Sequence, residues 1–375
     1  MGLPVLFLIQ HLDIGGTEHH LLDLVAGLDG ARLEPHVIHF NNREGKVARL
    51  MDAQPGVLKS FIPVSRAYAP SGWRAAWAVR RYVRRRRIAA VVTYHFVADW
   101  IGALATLGGP PLVSSRRDTG FTRTSRQIQA GRLMRGAFDR YIAVSEAVAA
   151  AVAREERVDP ARIEVIYNGV DLELLARAPW DRAAERARLD IAPEEIVIGC
   201  VANFNPVKRH EDLIAAFARA RDLSGGAPLR LLLAGTGPRQ EEAKAAIARA
   251  GLRGAVSLVG QSADVTREIL MSDIVALASE TEGFSNSIVQ AMALARPVVA
   301  CAAGGNPEAV EDGATGLLVP PRDVEAFAAA LTRLARDANL RAAMGQRGAR
   351  RARARFSRRA MLEQTITLIE RLVEG

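Results

Sequence analysis

Short apolar runs alternate along the chain with longer stretches whose apolar residues recur every three or four positions. The runs are Val5–Ile9, Val37–Phe40, Ala89–Thr93, Leu112–Ser114, Tyr141–Val144 and Ile163–Ile166. Between them, Glu18–Leu28 puts Leu21, Leu24, Val25 and Leu28 on one helical face. Strand–helix–strand repetition predicts a parallel sheet covered on both faces. The pattern restarts at Ile196–Val201 and continues through Leu229–Ala234, Val256–Val259, Ile274–Leu277, Pro297–Cys301 and Gly316–Val319. Helices intervene again, as in Glu211–Arg219 with Leu213, Ile214 and Phe217. Asp171–Glu195, between the two series, is charged, holds Pro179 and Pro193 and shows no strand pattern, so the domain junction is expected there. Ser357–Val373 reads as a last amphipathic helix through Leu362, Ile366, Ile369 and Leu372. The expected fold class is α/β, with two Rossmann-like, doubly wound domains facing each other across a cleft. Residues 1–178 would form the first and 179–356 the second, with the helix 357–375 packing back on the first. Such sheets bind ligands at the carboxyl ends of their strands, and two such edges suit two substrates.

Composition narrows this picture. A chain of 375 residues fits two domains at about 100–200 residues each. Hydrophobic residues at 49% and charged ones at 24% are ordinary for a globular protein and argue against disorder or a fibre. No apolar stretch approaches the ~18–20 residues of a membrane-spanning helix. Met1–Gln10 lacks a basic n-region and a cleavage site and runs into a glycine turn, so it reads as a strand and not a signal peptide. Two cysteines, Cys200 and Cys301, build neither a disulfide framework nor a zinc site by themselves, which points to the cytoplasm. The net charge of +9 comes from arginine, since only four of the 50 basic residues are lysine. No nucleic-acid partner is expected; a basic patch facing an anionic membrane or substrate accounts better for the charge.

Five segments could carry chemistry. Gly15-Gly16, between the first strand and its helix, lets backbone approach a ligand, and the helix N-terminus suits an anion. It is not Gly-x-Gly-x-x-Gly, so dinucleotide binding is poorly supported. Lys208 follows the first strand of the second half, where it can meet phosphate as a point charge. Ser279–Met292 runs from a strand through Glu282 and Gly283 into a helix bearing Gln290, eight positions on. Glu282 could line a site or merely cap its own helix. Gly304-Gly305-Asn306-Pro307-Glu308 is another glycine turn at a strand end. Arg80–Arg87, preceded by Trp73 and Trp77, reads as a solvated helix face or as a surface for anionic membrane. The histidines show no metal-ligand spacing, and Asp-x-Asp is absent.

The first four of these segments, with Ala143-Val144-Ser145-Glu146 and Arg162–Asp171, together resemble glycosyltransferase family 4, a retaining family of GT-B fold. The resemblance covers nearly the whole chain. It implies a UDP- or GDP-sugar donor held mainly by the second domain, with no metal or other cofactor. Glu282 is similar to the first glutamate of the family's Glu-x₇-Glu signature, which contacts the donor sugar, and Lys208 to the lysine on the diphosphate. Gly283, Phe284, Ser285, Asn286 and Ser287 match the phosphate-binding helix start, and Gly15 and Gly16 the loop that closes on the phosphates. Gly260, Gln261 and Ser262 fall where the base is held, and His95 where a histidine stands near the acceptor. Two positions depart from the pattern. Gln290 stands for the second signature glutamate and Asn203 for an arginine, whose role could pass to Arg209.

The implied activity is retaining sugar transfer to a hydroxyl of a glycan or lipid-linked acceptor in cell-surface polysaccharide or glycolipid synthesis. The place would be the cytoplasm, peripheral on the inner face of the membrane. The alternatives are a phosphorylase or sugar-phosphate epimerase of the same fold, or a non-catalytic nucleotide-sugar-binding partner, as Asn203 and Gln290 would allow.

Overall fold

The computed structural model describes residues 2–13, 15–28, 32–121, 123–176, 180–262 and 264–375. The chain divides into two compact units, Met1–Gly169 with Arg358–Gly375, and Val170–Ser357. The boundary expected between 178 and 179 lies outside the described residues.

The first unit holds β1 (Leu3–His11), β2 (Leu33–Asn41), β3 (Leu58–Phe61), β4 (Ala90–Tyr94), β5 (Leu112–Arg116), β6 (Arg140–Ala143) and β7 (Ile163–Val165). They form one sheet in the order β3-β2-β1-β4-β5-β6-β7, and every pairing is parallel. Val5–Ile9 is fully buried because helices cover both faces of the sheet. β3 was not anticipated: Leu58-Lys59-Ser60-Phe61 is a short edge strand with no buried residue. The helix Gly16–Gly27 buries Leu21, Leu24 and Val25, the face read from the sequence. The helix Arg358–Glu374 belongs to this unit and puts Ile366 and Ile369 into its core. Arg32 clamps that helix, reaching Glu370 at 2.6 Å and Glu363 at 2.9 Å.

The second unit holds β8 (Ile196–Val201), β9 (Leu229–Ala234), β10 (Val256–Gly260), β11 (Ile274–Leu277), β12 (Val298–Cys301) and β13 (Gly316–Val319). Its order is β10-β9-β8-β11-β12-β13, again all parallel. Both units are therefore Rossmann-like. In each, the chain builds outward from the first strand, then returns to build the other way. The turning points lie between β1 and β4 and between β8 and β11, where successive connections diverge and leave a crevice at the carboxyl ends. Part of the arginine excess is structural. Arg116 is buried between Asp99 and Glu156, and Arg186 joins the Met271 carbonyl to Asp273.

Candidate functional site

In the second unit, Lys208 and Glu282 meet at the turning point of the sheet. Beyond β8 the chain makes a short 3₁₀ turn, Pro206–Lys208, and Arg209 takes a left-handed conformation (φ 50°) before the helix His210–Leu223. Beyond β11 the chain reaches Glu282 and then the helix Asn286–Ala293. The two loops are joined through backbone, with Glu280 N donating to Val207 O at 2.9 Å. That bond brings Lys208 Nζ to 2.5 Å from Glu282 Oε1. Glu282 does not cap its own helix. Ser285 is the cap, its hydroxyl accepting from Ile288 N.

Gly304 shapes the floor beneath Glu282. It has φ 53°, and a Cβ there would collide with the Glu282 carbonyl oxygen. Gly305 N donates to that same oxygen at 3.3 Å. The glycine pair, which reads in sequence as an ordinary turn, thus holds the Glu282 backbone in place.

The helix Asn286–Ala293 buries Ile288, Val289, Ala291 and Met292 and leaves Asn286, Ser287 and Gln290 half-exposed. Ser285 and Ser287 hydroxyls lie 3.1 Å apart. The start of this helix carries the positive end of its dipole. Around it, burial and then Lys208 lower His210 to about 4, so the neutral ring, stacked on Phe204, leaves Lys208 as the cation beside Glu282. Burial pushes the Cys200 thiol up to about 12, which rules it out as a nucleophile near neutral pH.

The other residues expected from sequence to hold the donor lie elsewhere in the second unit. Arg209 is forked onto Asp212, with both N–O distances 2.9 Å, so its charge is already paired. Asn203 lies in the loop after β8, half-buried. Gly260 ends the edge strand β10 with φ 68°, and its carbonyl accepts from Gly235 N at 2.7 Å. Gln261 follows it, exposed. Ser262 hydrogen-bonds Glu268 at 2.6 Å. Gly283 and Phe284 are buried, Phe284 against Phe356 at 5.2 Å.

In the first unit, His95 opens the helix His95–Ala105 directly after β4, with φ 68°. His11 ends β1, the neighbouring strand, and the two imidazoles stack with centroids 5.0 Å apart. Buried Glu18 stands beside both, 3.0 Å from His11 Nδ1 and 3.8 Å from His95 Nε2. Glu18 raises the pKa of His11 against its burial, whereas burial lowers that of His95. Of the two glycines in the preceding loop, Gly15 is the constrained one: a Cβ there would strike the Glu18 carboxylate, while Gly16 faces open space. His11 and Glu18 were missed in the sequence because their meeting with His95 depends on strand order.

The aromatic and basic segment forms the helix Pro70–Arg86. Trp73 and Trp77 stand 55% and 65% exposed, and the Arg81 guanidinium lies 5.8 Å from the Trp77 ring centre. Arg84–Arg87 are exposed, but Arg80 turns inward to the carbonyls of Ala105 and Leu107. Among the described residues, no helix is long and apolar enough to cross a membrane.

Residues 14–174 match the family described as Glycosyltransferase Family 4, and residues 181–351 match that described as Glycosyl transferases group 1. The chain belongs to the family-4 glycosyltransferases. It is 35% identical to the D-inositol 3-phosphate glycosyltransferase of Mycobacterium marinum over 222 residues, 58% of this chain and 45% of the relative. The enzyme of the same name from Kineococcus radiotolerans is 34% identical over 64% of this chain and 58% of its own length. These matches span about half the length of the curated relatives. The crystal structure of Anabaena Alr3699/HepE in complex with UDP and glucose shares the fold at TM-score 0.86, with 25% identity over 98% of this chain and 99% of that one. A glycosyltransferase from Rickettsia africae has the same fold at TM-score 0.89 and 19% identity, covering 100% and 99%. The GT-B fold class expected from sequence is therefore the observed one.

Proposed function

We propose that the chain is a retaining glycosyltransferase that moves a sugar from a nucleoside-diphosphate donor to a hydroxyl of a glycan or lipid-linked acceptor, without a metal at the diphosphate. The observation that carries this reading is the Lys208–Glu282 pair at the β8/β11 turning point, beside the half-exposed Asn286, Ser287 and Gln290. As the anomeric carbon loses its diphosphate it gains oxocarbenium character. The charge growing on the leaving group then needs a cation and aligned N–H groups, which Lys208 and the start of the helix Asn286–Ala293 supply. Glu282 orients the sugar, and Gln290 meets the ribose hydroxyls through its amide oxygen. His95, Gly15 and Gly16 serve the first unit's part in the reaction. Neither signature position, Glu282 or Gln290, offers a nucleophile that would reach the sugar's opposite face. Front-face attack assisted by the leaving phosphate suits the set better than double displacement.

UDP bound by Alr3699/HepE and sugar transfer by the D-inositol 3-phosphate enzymes support this reading. The exposed Trp73 and Trp77 with Arg81 and Arg84–Arg87 support work at an anionic membrane surface, as cell-surface glycan or glycolipid synthesis requires. The test is donor consumption with UDP- and GDP-sugars in excess chelator, followed by the anomeric configuration of the product. Retention without added metal is expected. Inversion, or turnover only with Mg²⁺ or Mn²⁺, would overturn it.

A further inference from the structure

The His11, Glu18 and His95 cluster lies in the first unit, where β1 and β4 end, beside the Gly15-Gly16 turn. One ligand atom from each of the three falls within 4.8 Å of the other two. The shorter separations are 3.0 Å and 3.8 Å, both to Glu18 Oε1. A tetrahedral cation bound at about 2.0–2.1 Å asks its ligand atoms to stand about 3.3 Å apart. Closing this set on an ion therefore requires only small side-chain movements.

Three further features mark the cluster as built rather than incidental. His11 Nδ1 is buried and stands 3.0 Å from the Glu18 carboxylate, but its ring N–H is not well aligned with that oxygen. Two donor atoms set side by side, and not aimed at each other, are what a shared third partner needs. Gly15 leaves room for the Glu18 carboxylate, which a side chain at that position would displace. His95 adopts φ 68°, uncommon for a residue with a side chain. Such strain persists only where the surrounding structure imposes it, and it concentrates at functional sites.

We propose that His11, Glu18 and His95 form a binding site for a divalent transition-metal cation of the zinc class. Two imidazoles and one carboxylate favour such a cation over Mg²⁺ or Ca²⁺, which prefer oxygen ligands throughout. Three protein ligands leave a fourth position open to water or to a hydroxyl of a ligand. The site shares His95 with the proposed reaction and adjoins Gly15, but its test reads cation binding and not sugar transfer, so its failure and the failure of the transferase reading are separable.

The experiment is calorimetric titration of the full-length, metal-stripped chain with Zn²⁺, paired with absorption spectra after Co²⁺ addition. One cation per chain is expected, with the intense visible bands of four-coordinate cobalt. His11→Gln, Glu18→Gln and His95→Gln should each weaken binding by at least about 10-fold, since even outer-shell changes cost that much at metal sites. Circular dichroism verifies that each variant is folded, and the His11→Gln/His95→Gln double variant provides a second readout that spares the buried carboxylate. The proposal is overturned if wild type binds no Zn²⁺, or if the double variant binds it with unchanged stoichiometry and affinity.

Discussion

Lys208 Nζ and Glu282 Oε1 stand 2.5 Å apart although their residues are separated by 74 positions. Strand order makes this contact, because β8 and β11 are hydrogen-bonded neighbours and each residue follows one of them. Glu282 is only 8% exposed, and Lys208 is its ion-pair partner. In the free chain the two groups answer each other. On the proposed function, a donor would exchange that contact for its own, with the diphosphate taking Lys208 and sugar hydroxyls taking Glu282.

Gly304→Ala tests whether the glycine turn sets the height of Glu282. The new Cβ collides with the Glu282 carbonyl, and alanine is strained at φ 53°. A left-handed non-glycine residue costs about 1–3 kcal/mol. Thermal unfolding should therefore fall by several degrees, and donor affinity should fall with it. Unchanged melting and unchanged donor affinity would refute the role given to the turn.

Gln290 lies on the half-exposed side of its helix. If its amide meets ribose, Gln290→Ala should weaken donor binding by about 0.5–1.5 kcal/mol, the net value of a neutral hydrogen bond. Gln290→Glu should keep or improve affinity. Calorimetry with deoxyribose donor analogues supplies the control: wild type should discriminate against them and the alanine variant should not. A wild type indifferent to the ribose hydroxyls contradicts the assignment.

Asp273 fastens the start of the second unit. It accepts from Val197 N at 2.8 Å and pairs with Arg186 at 2.6 Å and Arg182 at 2.5 Å. Burial pushes its carboxyl up, but the Val197 N–H and the two guanidiniums outweigh that and hold it below the ordinary value. Its stabilisation is therefore fully present above the unfolded carboxylate pKa of about 3.9 and is lost as pH falls below it. Asp273→Asn should lose about 3 kcal/mol at neutral pH, because the buried Arg186 guanidinium loses its anion while the half-exposed Arg182 turns to solvent. The gap from wild type should be level between pH 7 and 5 and shrink below about pH 4. Denaturant melts at several pH values check this, and a gap that persists undiminished at pH 3 would contradict it.

The helix Pro70–Arg86 offers a membrane test. Neutralising Arg84–Arg87 should remove about 1 kcal/mol of vesicle affinity per charge, with binding dependent on anionic lipid and weakened by salt. Trp73→Ala with Trp77→Ala should weaken binding even at low salt. Sedimentation with phosphatidylserine-containing vesicles reads both. Equal binding by wild type and the neutralised variant would make the cluster ordinary solvated surface.

Much of this molecule was legible in its sequence, for physical reasons. Twelve of the strands announced themselves as apolar runs, ten of them because buried parallel strands are apolar on both faces, while the edge strands β7 and β10 have no buried residue. β3 stayed hidden because Lys59 and Ser60 break its four residues into two single apolar positions. Lys208, Glu282 and Gln290 stood out because each has a fixed relation to a strand end or a helix start. What sequence could not supply was adjacency. The meeting of His11, Glu18 and His95, the prior engagement of Arg209 by Asp212, and the contact of Gly304 with Glu282 all depend on how strands are ordered and loops packed.

The central claim is that Lys208 and Glu282 together hold a nucleoside-diphosphate sugar through its transfer. Its most direct measurement is the steady-state release of nucleoside diphosphate from UDP- and GDP-sugars by wild type, Lys208→Ala and Glu282→Ala, each verified as folded by circular dichroism. Preorganised groups of this kind contribute about 2.7–4 kcal/mol each, so turnover in either variant should fall roughly 10²–10³-fold. Turnover near the wild-type rate in either variant would contradict the account.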